Sequence, residues 1–280
     1  MPTATSFFSL PAGQISPRDE ARFFGGLKTA NDTFKRTEHG RLRQLDSWLI
    51  QQLAAAAASP RRVLDVGISS GVTTLELAAA MRDAGHPIEM TGTDRAFAAR
   101  LVQVAPLCRV LAEPDGHILQ YDLGGWAIQP WVRRLDYATG MIAVRALLRI
   151  LLTRRVRRMV AGGMPMTLVT PRLSADAVEL LESDVTVADP RLVHGFDLVR
   201  CANILNRHYF DEDALQRAVA NVRSYLRGPG AWLLVVRTNG ATGHDASLLR
   251  MAPDRSLDLV ARYGAGSEVE ELCLACPVSG

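Results

Sequence analysis

Asp65, Gly67, Ser69, Ser70 and Gly71 fall in one run, Val63 to Ala80, and carry the clearest chemical pattern in the chain. Val63, Leu64 and Val66 favour a strand, with Asp65 near its end. The glycines and serines make a tight turn, and Thr73 to Ala80 suit a helix. A turn that ends on a helix N-terminus offers free backbone N–H groups and a partial positive charge. Glycine lets a ligand come close to the backbone there. An acid one step before the turn suits the opposite charge, a cationic end on the same ligand.

The spacing narrows the choice. A dinucleotide site needs G-x-G-x-x-G, so that a pyrophosphate can rest on the helix start. Gly67-Ile-Ser-Ser-Gly71 lacks that spacing, and Asp65 is ill placed for a pyrophosphate. S-adenosylmethionine, with an amino group and a sulfonium, fits a carboxylate at the turn better. A second strand, Ile88–Thr93, ends on Asp94 and completes a β–α–β unit, which calls for a parallel pair with a right-handed crossover.

The segment Asp65-Val-Gly67-Ile-Ser69-Ser70-Gly71 resembles the D-x-G-x-x-x-G motif of the class I S-adenosylmethionine-dependent methyltransferases, with Ser69 where many members have glycine. Gly228-Pro-Gly230 before Ala231–Arg237 resembles a turn of the same family. The resemblance implies that Asp94, with Arg95 beside it, meets the cofactor ribose. It also implies that Asp184 and Val185 hold the adenine, with Asp122 a rival for the acid. A narrower run, Phe196-Asp-Leu-Val-Arg-Cys-Ala-Asn-Ile-Leu-Asn-Arg-His-Tyr-Phe210, is similar to the chemotaxis-receptor methyltransferases. Ala202 stands where that group has arginine, and Asn206-Arg207-His208 lengthens the spacing. By this resemblance Ala202 and Asn203 border the cofactor and the transfer site.

These motifs imply S-adenosylmethionine as cofactor and methyl transfer to O or N of a small-molecule or lipid-like acceptor. Protein carboxyl methylation and non-catalytic binding of the same cofactor are the alternatives. Asn203, His208 and Tyr209 are the candidate catalytic residues, since a histidine titrates near neutral pH. His208 and Tyr209 serve equally well as the start of the following helix, and a carboxylate acceptor needs no base. His39 and His244 read as ordinary histidines. No metal site is expected, because Cys273-Leu-Ala-Cys276 is a lone C-x-x-C without a second pair.

The elements that must position these residues follow from pattern. The expected fold is α/β, a doubly wound, mostly parallel Rossmann-like sheet with antiparallel C-terminal strands, N-terminal helices and a helical insertion. Residues 1–60 read as an arm and cap helices, and residues 61–280 as the methyltransferase domain. Leu42, Leu45, Leu49 and Leu53 recur at helical spacing, and Ser59–Pro60 stops that helix. Arg95 to Val104 reads as a helix, Leu107–Ala112 and His117–Tyr121 as strands, Ser174–Leu181 as a helix and Val269–Ala275 as a closing strand.

At 280 residues the chain can bury a large core. Four cysteines do not make a disulfide scaffold, so a reducing, cytoplasmic setting is expected. The start of the sequence lacks a basic and apolar leader, and no transmembrane stretch is expected. The net charge of +3 is uneven. Leu123 to Ala175 holds nine Arg and one Asp, a net +8 that leaves the rest at −5. Within it, 123–165 reads as an Arg-rich insertion centred on a helix from Met141 to Val160. Three readings of that helix stay open: a solvated basic face, a site for an acidic or phosphorylated substrate, or peripheral contact of 141–160 with an anionic membrane. No specific nucleic acid is expected, since no RNA-binding module is visible.

Overall fold

The structure, a computed structural model, describes residues 1–35, 38–176, 178–240 and 243–276. In chain order the helices are α1 (Ala4–Phe8), α2 (Pro17–Phe24), α3 (Arg43–Ala55), α4 (Val72–Asp83), α5 (Arg134–Thr139), α6 (Met141–Met159), α7 (Glu212–Tyr225) and α8 (Glu270–Ala275). The strands are β1 (Arg62–Val66), β2 (Glu89–Asp94), β3 (Ala98–Ala105), β4 (Cys108–Ala112), β5 (Ile118–Leu123), β6 (Trp126–Ile128), β7 (Met164–Thr167), β8 (Glu179–Glu182), β9 (Leu198–Ala202), β10 (Trp232–Asn239), β11 (Gly243–Met251) and β12 (Leu257–Tyr263). They form two compact units, Met1–His39 with Phe97–Ala175, and Gly40–Ala96 with Asp176–Gly280.

The second of these units is a seven-stranded sheet in the order β12-β11-β10-β9-β1-β2-β8. β8, β2, β1, β9 and β10 run parallel, and β11 and β12 close the edge by antiparallel pairing. Side chains alternate across the sheet because a strand has a period of two. Val63 of β1, Leu198 of β9 and Leu234 of β10 pack under Leu45, Leu49 and Leu53 of α3 and Leu77 and Met81 of α4. Leu64, Val199 and Leu233 point the other way, onto Leu215, Val219 and Val222 of α7 and Cys273 of α8. Helices on both faces of a parallel sheet make this unit a Rossmann-like, doubly wound α/β fold, as the sequence pattern predicts.

The other unit is a five-stranded antiparallel sheet, β6-β5-β4-β3-β7. One face carries Ala99, Leu101, Leu111 and Leu119 against Phe7, Phe23 and Phe24 of α1 and α2, where Phe7 stacks on Phe23 at 4.4 Å. The opposite face carries Val102, Val104 and Val110 against Val156 of α6 and Val160 beyond it. The division runs at 39/40, 96/97 and 175/176. The sequence pattern draws it at 60 and around 123–165, because nothing local links residues 1–39 to a segment so far along the chain.

Three element types differ from the sequence expectation. Residues 98–105 are a strand: Ala99 and Leu101 face one core and Val102 and Val104 the other, and this period of two, with β-branched valines, outweighs helix propensity. Glu179–Glu182 is a strand that adds to β2, so most of the helix expected over Ser174–Leu181 is absent; a 3-10 turn covers Pro171–Asp176. The C-terminal Glu270–Ala275 is helical, burying Cys273 and Glu270 on one side.

Candidate functional site

In an open parallel sheet the ligand crevice lies beyond the C-terminal ends of the strands, where the strand order reverses. Here the chain runs outward from β1 to β2 and β8, then returns to place β9 on the other side of β1. The switch point is therefore between β1 and β9, and the turn 67–71 lies immediately after β1.

That turn is built by backbone geometry. Gly67, Ser69 and Gly71 have φ of +76°, +56° and +78°. Gly71 caps α4 from the left-handed region, which costs glycine least. The amides of Gly67 and Ile68 donate to the Thr93 carbonyl at 2.8 and 3.0 Å. The Ser69 amide donates to Asp94 Oδ2 at 2.6 Å, and the Arg95 amide to Asp94 Oδ1 at 2.7 Å. Asp94 is thus held by two backbone donors, one on each oxygen, and keeps a lone pair on each. Ser70 is fully buried, and its Oγ has no hydrogen-bond partner among the described residues. Such an orphaned group is uncommon in a native interior and marks the corner as a place for a polar partner.

Asp65 faces differently from the sequence expectation. It sits on the same face of β1 as Val63, under α3 and α4, and is in direct register with Arg200 of β9. Arg200 Nε donates to Asp65 Oδ1 at 2.9 Å, and Nη2 donates to Oδ2 at 2.6 Å. Thr74 Oγ1 donates to Oδ2 at 2.7 Å. Arg200 also donates to Asp46 Oδ1 of α3 at 3.0 Å and to the Thr73 carbonyl of α4 at 3.0 Å. Asp65 therefore ties β1, β9 and α4 together, and two carboxylates share one guanidinium. Burial pushes the Asp46 carboxyl up to about 6, against the pull of Arg200. Burial opposes the charge on Arg200, but Asp65 and Asp46 outweigh it and raise its pKa.

At the end of β8, the Ser183 amide donates to the Asp94 carbonyl at 2.9 Å, which brings the Asp94 and Asp184 segments to one edge. Asp184 Oδ1 accepts from the amide and hydroxyl of Thr186 at 2.9 and 2.7 Å. Its Oδ2 faces Arg95 Nε at 3.8 Å. Val185 is in the core with α7, and its carbonyl accepts from Asn221 at 2.8 Å. Asp122 lies in the five-stranded unit, where Thr5 and the Gly125 amide donate to its carboxylate.

At the end of β9, Ala202 is half-buried, and Asn203 just beyond it has φ +63°. Asn203 Oδ1 accepts from the Thr238 amide at 2.6 Å, and its Nδ2 donates to Thr238 Oγ1 at 2.9 Å. Thr238 Oγ1 lies 3.1 Å from His244 Nδ1, and His244 Nε2 lies 2.7 Å from the Arg41 carbonyl. A carbonyl only accepts, so His244 donates from Nε2 and receives the threonine hydroxyl at Nδ1. His244 is a structural link in this chain of bonds. Ile204 fills the space beside Gly67; a side chain on residue 67 would meet it at 3.1 Å. The glycine is needed for that contact as well as for its backbone.

Asn206, fully buried, organises the next loop. It donates to the Asn203 carbonyl at 2.9 Å and accepts from the amides of His208 and Tyr209 at 3.0 and 3.1 Å. The side chains of His208 and Tyr209 are exposed and make no hydrogen bond among the described residues. Asp211 caps α7, accepting from the Ala214 amide. The residues the sequence reading missed are Arg200, Asp46 and Asn206. An arginine in an otherwise apolar strand, at the same alternation as an acid one strand over, is the signal for the first.

Cys273 is buried, and burial pushes its thiol up to about 12, far from the reactive thiolate range. Among the described residues no group of three or more His, Cys, Asp and Glu converges as metal ligands do. A cavity of about 230 Å³ opens at the opposite, N-terminal ends of β1 and β2, where Arg62, Arg82, Glu89 and Glu179 mix both signs of charge.

The seven-stranded unit is thus a Rossmann-like, doubly wound α/β fold with its candidate site at the β1/β9 corner. No family model matches the chain, and no curated protein does. Solved structures similar to it include the CMeT domain of a citrinin polyketide synthase, at 16% identity and TM-score 0.36, over 72% of this chain and 35% of that one. Another is CalS10, an amino pentose methyltransferase from Micromonospora echinaspora, at 15% identity and TM-score 0.34, over 75% of this chain and 63% of that one. A third is the N-methyltransferase NodS from Bradyrhizobium japonicum WM9, at 15% identity and TM-score 0.34, over 79% and 71%. The chain spans about a third of the first and under two thirds of the second. The fold assignment stands on the sheet order and the two helical layers.

Proposed function

We propose that the β1/β9 corner binds S-adenosylmethionine and that the protein transfers its methyl group to O or N of a small-molecule or lipid-like acceptor. The observation that carries this reading is Asp94 at the end of β2, held rigidly by the Ser69 and Arg95 amides with a lone pair left on each oxygen. Two free acceptor positions on one fixed carboxylate suit two vicinal hydroxyls. Arg95 stands between Asp94 and Asp184. Asp184 Oδ2 makes no hydrogen bond to Thr186, which leaves it acceptor capacity for an exocyclic amine. Ser70 Oγ and the start of α4 offer polar contacts at the turn.

Asp65 supports the corner from below. With Asp46 it leaves an excess of buried acid over Arg200, a field that favours a cationic ligand end without direct contact. The bound cofactor would supply an electrophilic methyl group. The chain's own part is to hold and align, which accounts for most of the rate in a displacement of this kind. Asn203 keeps one amide hydrogen and one acceptor position beyond its bonds to Thr238, enough to orient an acceptor at the strand mouth.

A specific observation favours a second reading, a non-catalytic binder of the same cofactor. Among the described residues no group fixes the His208 ring, whereas a general base is normally oriented by another group. Protein carboxyl methylation draws less support, because Ala202 stands where the chemotaxis-receptor pattern has arginine and Arg200 is spent on Asp65 and Asp46. Calorimetric titration with S-adenosylmethionine, followed by a methyl-release assay against a panel of hydroxyl and amine acceptors, separates these readings. Binding with turnover supports the enzyme, and binding without turnover the sensor. No binding by the folded protein overturns both.

A further inference from the structure

The strongest unexplained feature lies in the five-stranded unit and is independent of methyl transfer. α6 buries only Arg145 and Val156 among its 19 residues. Arg145 donates to both oxygens of Asp136 in α5 and to the Gln129 carbonyl, so its charge is consumed in holding α5 against α6. The opposite side of α6 faces water with large apolar groups. Leu147 is 55% exposed, Ile150 73% and Leu151 59%, and Leu135 on α5 is 74% exposed. A side chain of this kind standing alone is ordinary; several on one short helical pair are not.

The same side carries unneutralised charge. Leu147, Leu151, Arg154 and Arg158 recur at i, i+4, i+7 and i+11, one stripe along the helix. Its first half is apolar and its second half basic. Arg154, Arg155, Arg157 and Arg158 are exposed, and no ion pair joins them among the described residues. The sequence from Tyr137 to Ala175 contains no acid at all.

We propose that this face of α5 and α6 is a docking surface for an anionic lipid bilayer. The occupant follows from the two chemistries together. A helix of this length runs about 28 Å, and no helix among the described residues is long and apolar enough to cross a membrane. It therefore lies in the interface plane, with Leu147, Ile150 and Leu151 among the acyl chains and the arginines on anionic headgroups. A second copy docked through the same face would set these arginines against their own kind, with no acid between Tyr137 and Ala175 to meet them. A nucleic acid would answer the arginines and leave the leucines unused.

The test is co-sedimentation of the full chain with vesicles of phosphatidylcholine alone and of phosphatidylcholine with about a third phosphatidylglycerol. The expected result is binding to the anionic vesicles only, weakened steeply as salt rises from about 50 to 500 mM. Leu147→Ser with Ile150→Ser should lower that binding by about tenfold or more. Arg154→Gln with Arg158→Gln should do the same at low salt. All four side chains are exposed, so circular dichroism should report an unchanged fold. Four results overturn the proposal: no binding to anionic vesicles, equal binding to both compositions, no loss in either folded variant, or a dimer in solution that the leucine and isoleucine substitutions dissolve.

Discussion

Arg200 and Arg154 carry the same charge under opposite conditions. Arg200 is fully buried in the seven-stranded unit and spends its guanidinium on Asp65, Asp46 and a helix carbonyl. Arg154, in the five-stranded unit, is exposed one turn from Leu151, and no ion pair joins it among the described residues. The first arrangement fixes β1, β9, α3 and α4 in one geometry. The second leaves charge on offer. An arginine therefore reads as structure or as surface according to what lies in register with it, and the residue type alone does not decide.

The largest expected effect breaks the buried arrangement. Arg200→Met leaves two carboxylates in the α3/α4 layer without their cation and should cost about 3–5 kcal/mol in chemical denaturation. Arg154→Gln should change the same measurement by less than about 0.5 kcal/mol. A small loss at position 200 would mean that the two acids protonate at little cost.

Next in size is the end of the chain of capping bonds that presents the β9 loop. Asp211→Ala removes the side chain that accepts from Ala214 and should cost about 1 kcal/mol. If stability is unchanged, α7 is held by packing of Leu215 and Val219 alone.

A subtler effect sharpens the comparison through pH. Asp46 ionises near 6 in the folded chain and near 3.8 when unfolded, so between those values the folded state holds a proton the unfolded state has lost. Its contribution to stability therefore falls as pH rises from about 4 to 6 and stays low above that. Asp46→Asn removes this titration. The stability of the variant minus that of the parent should climb across that window and flatten above it, in urea melts taken at half-unit steps. Asp189, which its bonds from Arg191 hold down to about 2, loses its contribution below about 4, outside this window. A flat difference curve would show that Arg200 already keeps Asp46 ionised.

Much of this architecture is visible in residue pattern. The turn 67–71, the strand ending on Asp94, the helix of Leu45, Leu49 and Leu53 and the long helix from Met141 all fall where periodicity places them. The strand that carries Asp184 to the edge beside Asp94 is not among them: Glu179–Glu182 reads as helix in the pattern and is a strand only by pairing with β2. Long-range partnership is what pattern does not reveal. Ala98–Ala105 has apolar residues in runs that fit either period, and only a core on each side makes it a strand. Phe7 looks like part of an arm, and Phe23 and Phe24 like a cap helix without a partner, until β3, β4 and β5 supply a face for all three. Asp65 looks like a ligand contact because its strand ends at a glycine turn, but alternation with Val63 sends its carboxylate under α3 and α4, onto Arg200.

The central claim is that a carboxylate held by the turn recognises the cofactor, and calorimetric titration of the parent and of Asp94→Ala with S-adenosylmethionine tests it most directly. The parent should bind. The variant should bind about 10- to 100-fold more weakly, the loss of hydrogen bonds to a charged group, with an unchanged dichroism spectrum. Equal affinity in the two proteins, or no binding by the folded parent, would contradict the account.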